Sequence, residues 1–233
     1  MGKAEHNIRQ VVNMAGVQSP AAFRQPRTGL ESLATRSRNG DTLDSALDQK
    51  SDEVLITLFQ QGEEGVFRIL VDRYQEKLRN LMYSIFNESD IVDDLAQEVF
   101  IKAYEALPNF RFQSSFYTWL YRIAVNRARD EMRKRKIRKW LTLDAMMESR
   151  DKEFHDKMTT HPESSDAQEL VSHGLQQLPE KFRIAIVLKD IDGLSYEQMS
   201  EVLQCEIGTV KSRLSRARSM LRKVLKPLLQ ETV

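Results

Sequence analysis

Cysteine, glycine and proline are scarce in this sequence of 233 residues, and each shortage excludes a class of protein. The single cysteine, Cys205, excludes an internal disulfide framework and a cysteine-rich zinc or iron–sulfur site. The longest strongly apolar run, Ile184–Leu188, is far too short to span a bilayer. Because the chain has only 9 Gly and 6 Pro but 30% charged residues, we expect an all-α protein with polar-faced helices.

The sequence also lacks the motifs of common enzyme classes. It has no GxxxxGK phosphate loop, no GxGxxG turn and no HExxH pair, and its four histidines are scattered. We therefore predict no catalytic residue, no metal and no cofactor. Cys205 is interpreted as a small buried thiol in a turn.

Positive and negative charge nearly cancel overall, with 35 basic and 34 acidic residues, but they are separated along the chain. Residues 1–48 show no sustained helical period and are predicted to be a mobile extension. Apolar residues recur at helical spacing over 49–140 and 167–230, and an acidic flexible linker is predicted over 141–166. The expected architecture is thus two small helical domains joined by that linker.

The C-terminal segment has the pattern of a helix-turn-helix. Ser195 and Gln198 form a capping box that begins a short helix over 195–203. The connection Gln204–Gly208 leads to a second helix over 209–229. Between Thr209 and Lys226 there are seven basic residues and no acidic one. The alternative is a solvated amphipathic helix, but a solvated face normally mixes both signs of charge.

The faces of this second helix differ in chemistry. Val210, Leu214, Ala217 and Leu221 form one apolar stripe at helical spacing. Small polar and basic residues lie outside the stripe, and such side chains contact base edges and phosphates in a major groove. The candidate DNA-binding residues are Lys211, Ser212, Arg213, Ser215, Arg216 and Arg218.

Aromatic residues are concentrated just before a cationic stretch. Seven of the 18 aromatic residues lie within 104–121, and nine basic residues follow within 122–139. Aromatic faces beside a cationic track hold unstacked bases of single-stranded nucleic acid. Core packing is an equal alternative for Phe116 and Trp119. It is less expected for Phe110 and Phe112, because both lie in an irregular segment.

A third segment carries the opposite charge. From Asn87 to Ile101 there are five acidic residues and no basic one. A face of this kind does not suit DNA, so it either remains solvated or binds a basic protein. The residues alone leave both possibilities open.

These segments, in this order, resemble a known family. DDLAQEVFIKAYEALPNFRFQSSFYTWLYRIAVNRARDEMRKRK is similar to region 2 of bacterial sigma factors of the extracytoplasmic-function (ECF) group, within the sigma-70 family. LPEKFRIAIVLKDIDGLSYEQMSEVLQCEIGTVKSRLSRARSML is similar to their region 4. The resemblance extends over about 50–139 and 167–229. Region 3 is missing, as expected for this group, and the first 48 residues lie outside the resemblance.

The resemblance implies a role for each segment. The acidic residues would bind core RNA polymerase: Asp93, Asp94, Gln97 and Glu98. A capture loop and the helix after it would hold the melted minus-ten strand: Phe110, Arg111, Phe112, Gln113, Ser114, Asn126, Arg129 and Arg133. Among the helix-turn-helix candidates, the positions that read the minus-thirty-five element are Lys211, Ser212, Ser215 and Arg216.

The capture loop departs from the pattern of the group. It commonly reads Phe-Arg-Gly-Glu/Asp-Ser, whereas Phe110–Ser114 reads Phe-Arg-Phe-Gln-Ser. The glycine and the carboxylate are both replaced, which leaves the loop's conformation and its preferred base open.

The resemblance implies a promoter-specificity subunit, not an enzyme, whose partners are core RNA polymerase, promoter DNA and an anti-sigma factor. The implied location is cytoplasmic, including retention at the inner membrane by a membrane-bound anti-sigma factor. One alternative is a stand-alone helix-turn-helix regulator, which leaves the aromatic and acidic segments without a role. Another is a regulatory protein that mimics a sigma factor, which would not need basic residues at both DNA-facing segments.

Overall fold

A computed structural model describes the chain over residues 47–147 and 166–230, with side chains over 47–138 and 171–226. All the regular elements in these ranges are helical, in agreement with the predicted fold class. All but the last two residues of the predicted mobile extension, and most of the predicted acidic linker, lie outside the described residues. Within the described ranges, no helix has both the length and the apolar character needed to cross a membrane.

Over the described residues 47–147, the N-terminal unit has four α-helices, which pack around one apolar core. They are α1 (Asp52–Gln60), α2 (Phe67–Phe86), α3 (Ser89–Ala106) and α4 (Phe116–Met147). α2 buries one apolar face, because apolar residues recur at helical spacing along it, as Leu70, Leu78 and Met82 illustrate. α2 ends at Asn87, whose left-handed φ of 55° closes the helix.

The C-terminal unit also consists of four α-helices. They are α5 (Asp166–Gln176), α6 (Glu180–Ile186), which continues into a π-helical turn over Val187–Ile191, α7 (Tyr196–Leu203) and α8 (Ile207–Gln230). α8 packs against the other three helices of the unit. The predicted capping box is confirmed, since Ser195 Oγ accepts the N–H of Gln198 at 3.1 Å and Gln198 Oε1 accepts the N–H of Ser195 at 2.8 Å.

Two predicted boundaries are wrong. α4 continues to Met147, into the segment predicted as a linker over 141–166, because these residues are mostly good helix formers without glycine or proline. α8 begins at Ile207, so Gly208 lies inside its first turn. The tight turn before α8 instead depends on Gln204, which adopts a left-handed φ of 52°.

The two units are in direct contact, with α7 against α4 and α5 against α2. Arg183 Nη1 donates to the carbonyl oxygen of Ile85 at 2.9 Å, and Gln176 Nε2 donates to the same oxygen at 3.2 Å. The guanidinium also donates to the Gln176 carbonyl at 2.7 Å and the Leu178 carbonyl at 3.2 Å. One arginine thus connects the end of α5 to the end of α2.

Candidate nucleic-acid and polymerase interfaces

The loop between α3 and α4 is held at both ends. Gln60 Nε2 donates to the carbonyl oxygens of Leu107 at 3.1 Å and Phe110 at 2.9 Å. At the other end, Ser115 Oγ accepts the N–H of Thr118 at 3.1 Å and caps the start of α4. The loop residues between Phe110 and Ser115 are therefore held at both ends.

Phe112 stands where the capture loop of the ECF group commonly has glycine. Its φ of 55° lies in the left-handed region, which glycine reaches readily and a bulky residue rarely adopts. The ring is 42% exposed and packs edge to face on Phe110, with centroids 5.0 Å apart and planes inclined by 70°. The substitution therefore adds an oriented aromatic ring to the loop surface.

A cleft of about 390 Å³ opens beside this loop. Its walls combine aromatic, amide, hydroxyl and charged groups: Asn109, Phe110, Arg111, Gln113, Ser114, Trp119, Arg122 and Glu201. Seven of these residues belong to the loop and α4, whereas Glu201 comes from α7. Stacking surfaces and hydrogen-bonding groups in one cleft are suited to an unpaired base.

The expected division of the aromatic residues between core and surface is partly wrong. Phe110 is 8% exposed and packs against Trp119 with centroids 5.1 Å apart, so it belongs to the core. Its backbone carbonyl is held by Gln60, and its ring packs against Phe116 and Trp119. Phe116 is also buried, whereas Phe112 remains on the surface as expected.

Two arginines of the predicted cationic track face the acidic helix instead. Arg127 is buried, and its Nη2 donates to Glu98 at 3.1 Å and to Glu131 at 3.3 Å. Arg135 Nη1 donates to Glu88 at 2.7 Å. These ion pairs hold α4 against α3. Arg127 and Arg135 therefore do not contribute to a DNA-binding surface, and the basic stretch 122–139 supplies fewer candidates than predicted.

The three candidate strand-binding residues on α4 have different surroundings. Asn126 is exposed, and Arg133 is exposed with its Nη2 3.4 Å from Asp130 Oδ1. Arg129 is partly buried beside the C-terminal unit, with its Nε 4.0 Å from Glu180 Oε1. Burial lowers the pKa of Arg129. The structure thus brings Asn126 and Arg133 to the surface and covers part of Arg129.

The four candidate polymerase-binding residues all lie on α3: Asp93, Asp94, Gln97 and Glu98. Asp94 is exposed, whereas Arg79 of α2 places its Nε 2.8 Å from Asp93 Oδ1. Glu98 is held by Arg127, and this hydrogen bond is the main cause of its lowered pKa. The acidic face is therefore ordered by arginines from both neighbouring helices.

α8 separates its faces as the sequence predicts. Val210, Leu214 and Ala217 are buried, and Leu221 is partly buried against the core. Five of the six candidates are exposed, namely Lys211, Ser212, Ser215, Arg216 and Arg218, whereas Arg213 is half-buried. Arg218 differs from the other exposed candidates because its Nε donates to Asp190 Oδ2 at 3.0 Å.

A partly buried carboxyl lies where the two units meet. Asp192 follows the π-helical turn after α6 and faces Tyr121 of α4, and its Oδ2 has no hydrogen-bond partner. Burial raises the pKa of Asp192 to about 7, and the hydrogen bond with Tyr121 opposes part of that rise. Burial also raises the pKa of Tyr121, and the charge of Asp192 adds to the effect.

Four residues at these sites were missed by the sequence analysis: Gln60, Arg183, Asp192 and Glu201. Each acts through a contact that is distant along the chain; Gln60, for example, is 47 and 50 residues from the two carbonyls it binds. Neither helical period nor motif spacing reports contacts of this kind.

A helical unit with an acidic face and an aromatic cleft, followed by a helix-turn-helix, is the arrangement that the sequence resemblance leads us to expect of a transcription initiation factor. The family model Sigma-70 region 2 matches residues 70–138, and Sigma-70, region 4 matches residues 168–221. The RNA polymerase sigma-H factor of Pseudomonas aeruginosa is 41% identical over 194 residues, covering 79% of this chain and 99% of the relative. The ECF RNA polymerase sigma-E factor of Escherichia coli K12 is 39% identical over 189 residues, covering 78% and 98%.

Solved structures agree with this similarity. The sigma factor RpoE of Bartonella quintana, in complex with the anti-sigma factor NepR, matches with a TM-score of 0.57 and 31% identity over 69% of this chain and 96% of that one. CnrH, in complex with the cytosolic domain of CnrY, matches with a TM-score of 0.57 and 27% identity over 76% and 99%. The chain belongs to the ECF group of the sigma-70 family of bacterial RNA polymerase sigma factors.

Proposed function

We propose that this chain binds core RNA polymerase through α3 and directs it to promoters through the capture loop and α8. The main support for this proposal is that one chain combines an ordered acidic face, an aromatic cleft and a helix with an exposed basic face. A stand-alone helix-turn-helix regulator would use only the last of these. A sigma mimic would need neither the cleft nor the basic face of α8.

The proposed domains follow the segments of the sequence. Residues 49–140 form region 2 and residues 167–230 form region 4. Residues 1–48 precede region 2, and residues 141–166 connect the two regions, with α4 continuing into the start of that connection as far as Met147.

Region 2 takes up the melted minus-ten strand. An unpaired base enters the cleft beside Phe110 and Trp119, while Arg111 and Arg122 lie close enough to contact phosphates. Stacking is worth about 1–3 kcal/mol per base, which is comparable to the few kcal/mol needed to unpair one. Binding energy therefore suffices for strand opening, and the chain needs no catalytic residue of its own.

Region 4 positions the complex on the minus-thirty-five element. Arg216 and the serines beside it lie on the exposed face of α8, where an Arg fork can bind a guanine edge. Lys211 and Arg213 flank that face and are placed for phosphate contacts.

Control by an anti-sigma factor is supported by the two solved neighbours, RpoE bound to NepR and CnrH bound to the cytosolic domain of CnrY. We place the chain in the cytoplasm, where polymerase and promoter DNA are found. A membrane-bound anti-sigma factor would hold it at the inner membrane until released.

The test of this function is competition for polymerase. Labelled sigma factor bound to bacterial core RNA polymerase is challenged with the purified chain, and the released label is measured. Displacement is expected, and the resulting holoenzyme should retain genomic DNA fragments that the free chain does not. A stand-alone regulator would instead bind DNA without displacing the label, and a mimic would do neither.

A further inference from the structure

Phe112 is an exposed aromatic residue in the loop that lines the cleft, and the proposed function does not assign it a role. We propose that Phe112 provides a second stacking surface for an unpaired base, next to the base held in the cleft, and so extends minus-ten recognition by one nucleotide. This inference rests on the proposed function, since it assigns a further contact to the same site.

The backbone indicates that the ring is held in place by its surroundings. A phenylalanine with a φ of 55° is strained, and strain of this kind persists only where neighbouring structure fixes the segment. Here Gln60 fixes the loop at the carbonyl of Phe110, and Ser115 fixes it at the start of α4. Phe110 fills the buried position beside Trp119, and Phe112 stays on the surface.

The ring is also oriented before any ligand arrives. Its edge-to-face contact with Phe110 joins it to a series of rings, since Phe110 packs in turn against Trp119. Such contacts restrict the side chain, so little rotamer entropy is lost when a base stacks on its open side. The ring is still 42% exposed, which leaves area for that base.

The neighbouring groups favour nucleic acid over an apolar partner. Arg111 precedes Phe112 and Gln113 follows it, and both line the cleft. A cation beside an aromatic ring suits a nucleotide, whose base is planar and whose phosphate is negative. An amide at Gln113 can both donate and accept hydrogen bonds, whereas the carboxylate common in the group only accepts them.

Every base has a π-face on which an aromatic ring can stack. The added contact should therefore raise the affinity for single-stranded DNA more than it restricts the bases that are accepted at that position. The cleft itself would still select the captured base. The expected consequence is a tighter hold on single-stranded DNA with one additional ordered nucleotide.

The experiment compares variants in the complete chain bound to core RNA polymerase. The probe is a pool of short single-stranded DNA oligonucleotides with a randomised central segment, from which the wild-type holoenzyme selects a sequence. Phe112→Leu and Phe112→Gly are expected to bind that sequence roughly tenfold more weakly, while Phe112→Tyr and Phe112→Trp retain binding. Val54→Ala is the matched control, because Val54 is also 42% exposed but lies on α1.

Two further readouts separate stacking from a structural role. The fluorescence of 2-aminopurine, placed at successive positions of the selected oligonucleotide, should be quenched at one position by wild type and Phe112→Tyr but not by Phe112→Leu. Phe112→Gly should keep or raise the thermal unfolding temperature, because glycine relieves the left-handed strain.

The possible failures are distinguishable. If the wild-type holoenzyme selects DNA but Phe112→Leu and Phe112→Gly bind it equally well, the second stacking surface is refuted and the proposed function stands. If the wild-type chain neither joins core polymerase nor selects any sequence, the proposed function itself fails, and the inference fails with it.

Discussion

Arg127 of α4 is buried against α3, where its Nη2 lies 3.1 Å from Oε1 of Glu98. Glu98 is one of the residues proposed to bind polymerase, and half of its side chain is exposed. The proposed docking face is therefore held in place by the same helix that carries the proposed strand-binding residues.

Replacing Arg127 with methionine should destabilise the fold by about 1.5–3 kcal/mol, because it removes a buried guanidinium that donates to both Glu98 and Glu131, although Arg135 remains beside Glu131. The free energy of unfolding in urea measures the effect. Arg133→Met is the control: Arg133 is 71% exposed in its ion pair with Asp130, so the expected loss is below about 1 kcal/mol. Equal losses for the two variants would show that Arg127 is not structurally important.

Asp192 should make the folded chain less stable as the pH rises from about 4 towards about 7. Below that range the carboxyl is neutral in both the folded and unfolded states. Within it the unfolded chain releases the proton, whereas the folded chain retains it because burial raises the pKa to about 7. Above about pH 7 the carboxyl is charged in both states, and the free energy of unfolding no longer changes with pH because of this group.

Asp192→Asn should remove this dependence and gain up to about 4 kcal/mol over wild type near pH 8. Urea unfolding at about pH 5 and about pH 8 measures the difference between the two proteins. Asp190→Asn is the control, since Asp190 lies on the exposed side and pairs with Arg218. A wild-type stability that is flat across this range would contradict the assigned burial of Asp192.

Asp94→Lys should weaken binding to core RNA polymerase at least tenfold, because it reverses a charge at the centre of the acidic face. Competition against a labelled sigma factor measures the affinity. Glu105→Lys provides the comparison, because it makes the same charge change on the exposed side of α3. If both variants compete as wild type does, α3 is not the docking surface.

Arg216→Ala should weaken promoter binding by about 1–3 kcal/mol and relax preference at one base pair of the minus-thirty-five element. Quantitative binding of the holoenzyme to single-base variants of a selected promoter measures both effects. Arg218→Ala should weaken promoter binding without changing the preferred base at any position, because the Arg218 guanidinium is already hydrogen-bonded to Asp190. If Arg216→Ala weakens binding to all promoter variants equally, Arg216 contacts a phosphate and not a base.

Much of the fold could be predicted because its signals are local. The capping box at Ser195, the end of α3 before Pro108 and the stripe beginning at Val210 each depend on residues within a few turns. The separation of buried and exposed faces on α8 follows from the same period. Such features need no knowledge of what packs against the helix.

Other parts of the site depend on contacts between distant segments. The sequence gives no sign that Arg127 turns towards α3, because it lies in a stretch that also carries Arg122, Arg129 and Arg133, and only the packed helix supplies Glu98. The burial of Phe110 depends on packing against rings of α4, and the partial burial of Asp192 on contact between the two units. Tertiary burial decides these cases, and local pattern does not encode it.

The central claim is that this one chain gives RNA polymerase its promoter specificity. Initiation in vitro tests it most directly: core RNA polymerase is incubated with genomic DNA fragments, with and without the purified chain, and transcript starts are mapped. We expect new starts that share two upstream elements and disappear with Asp94→Lys. Starts that are identical with and without the chain would contradict the claim.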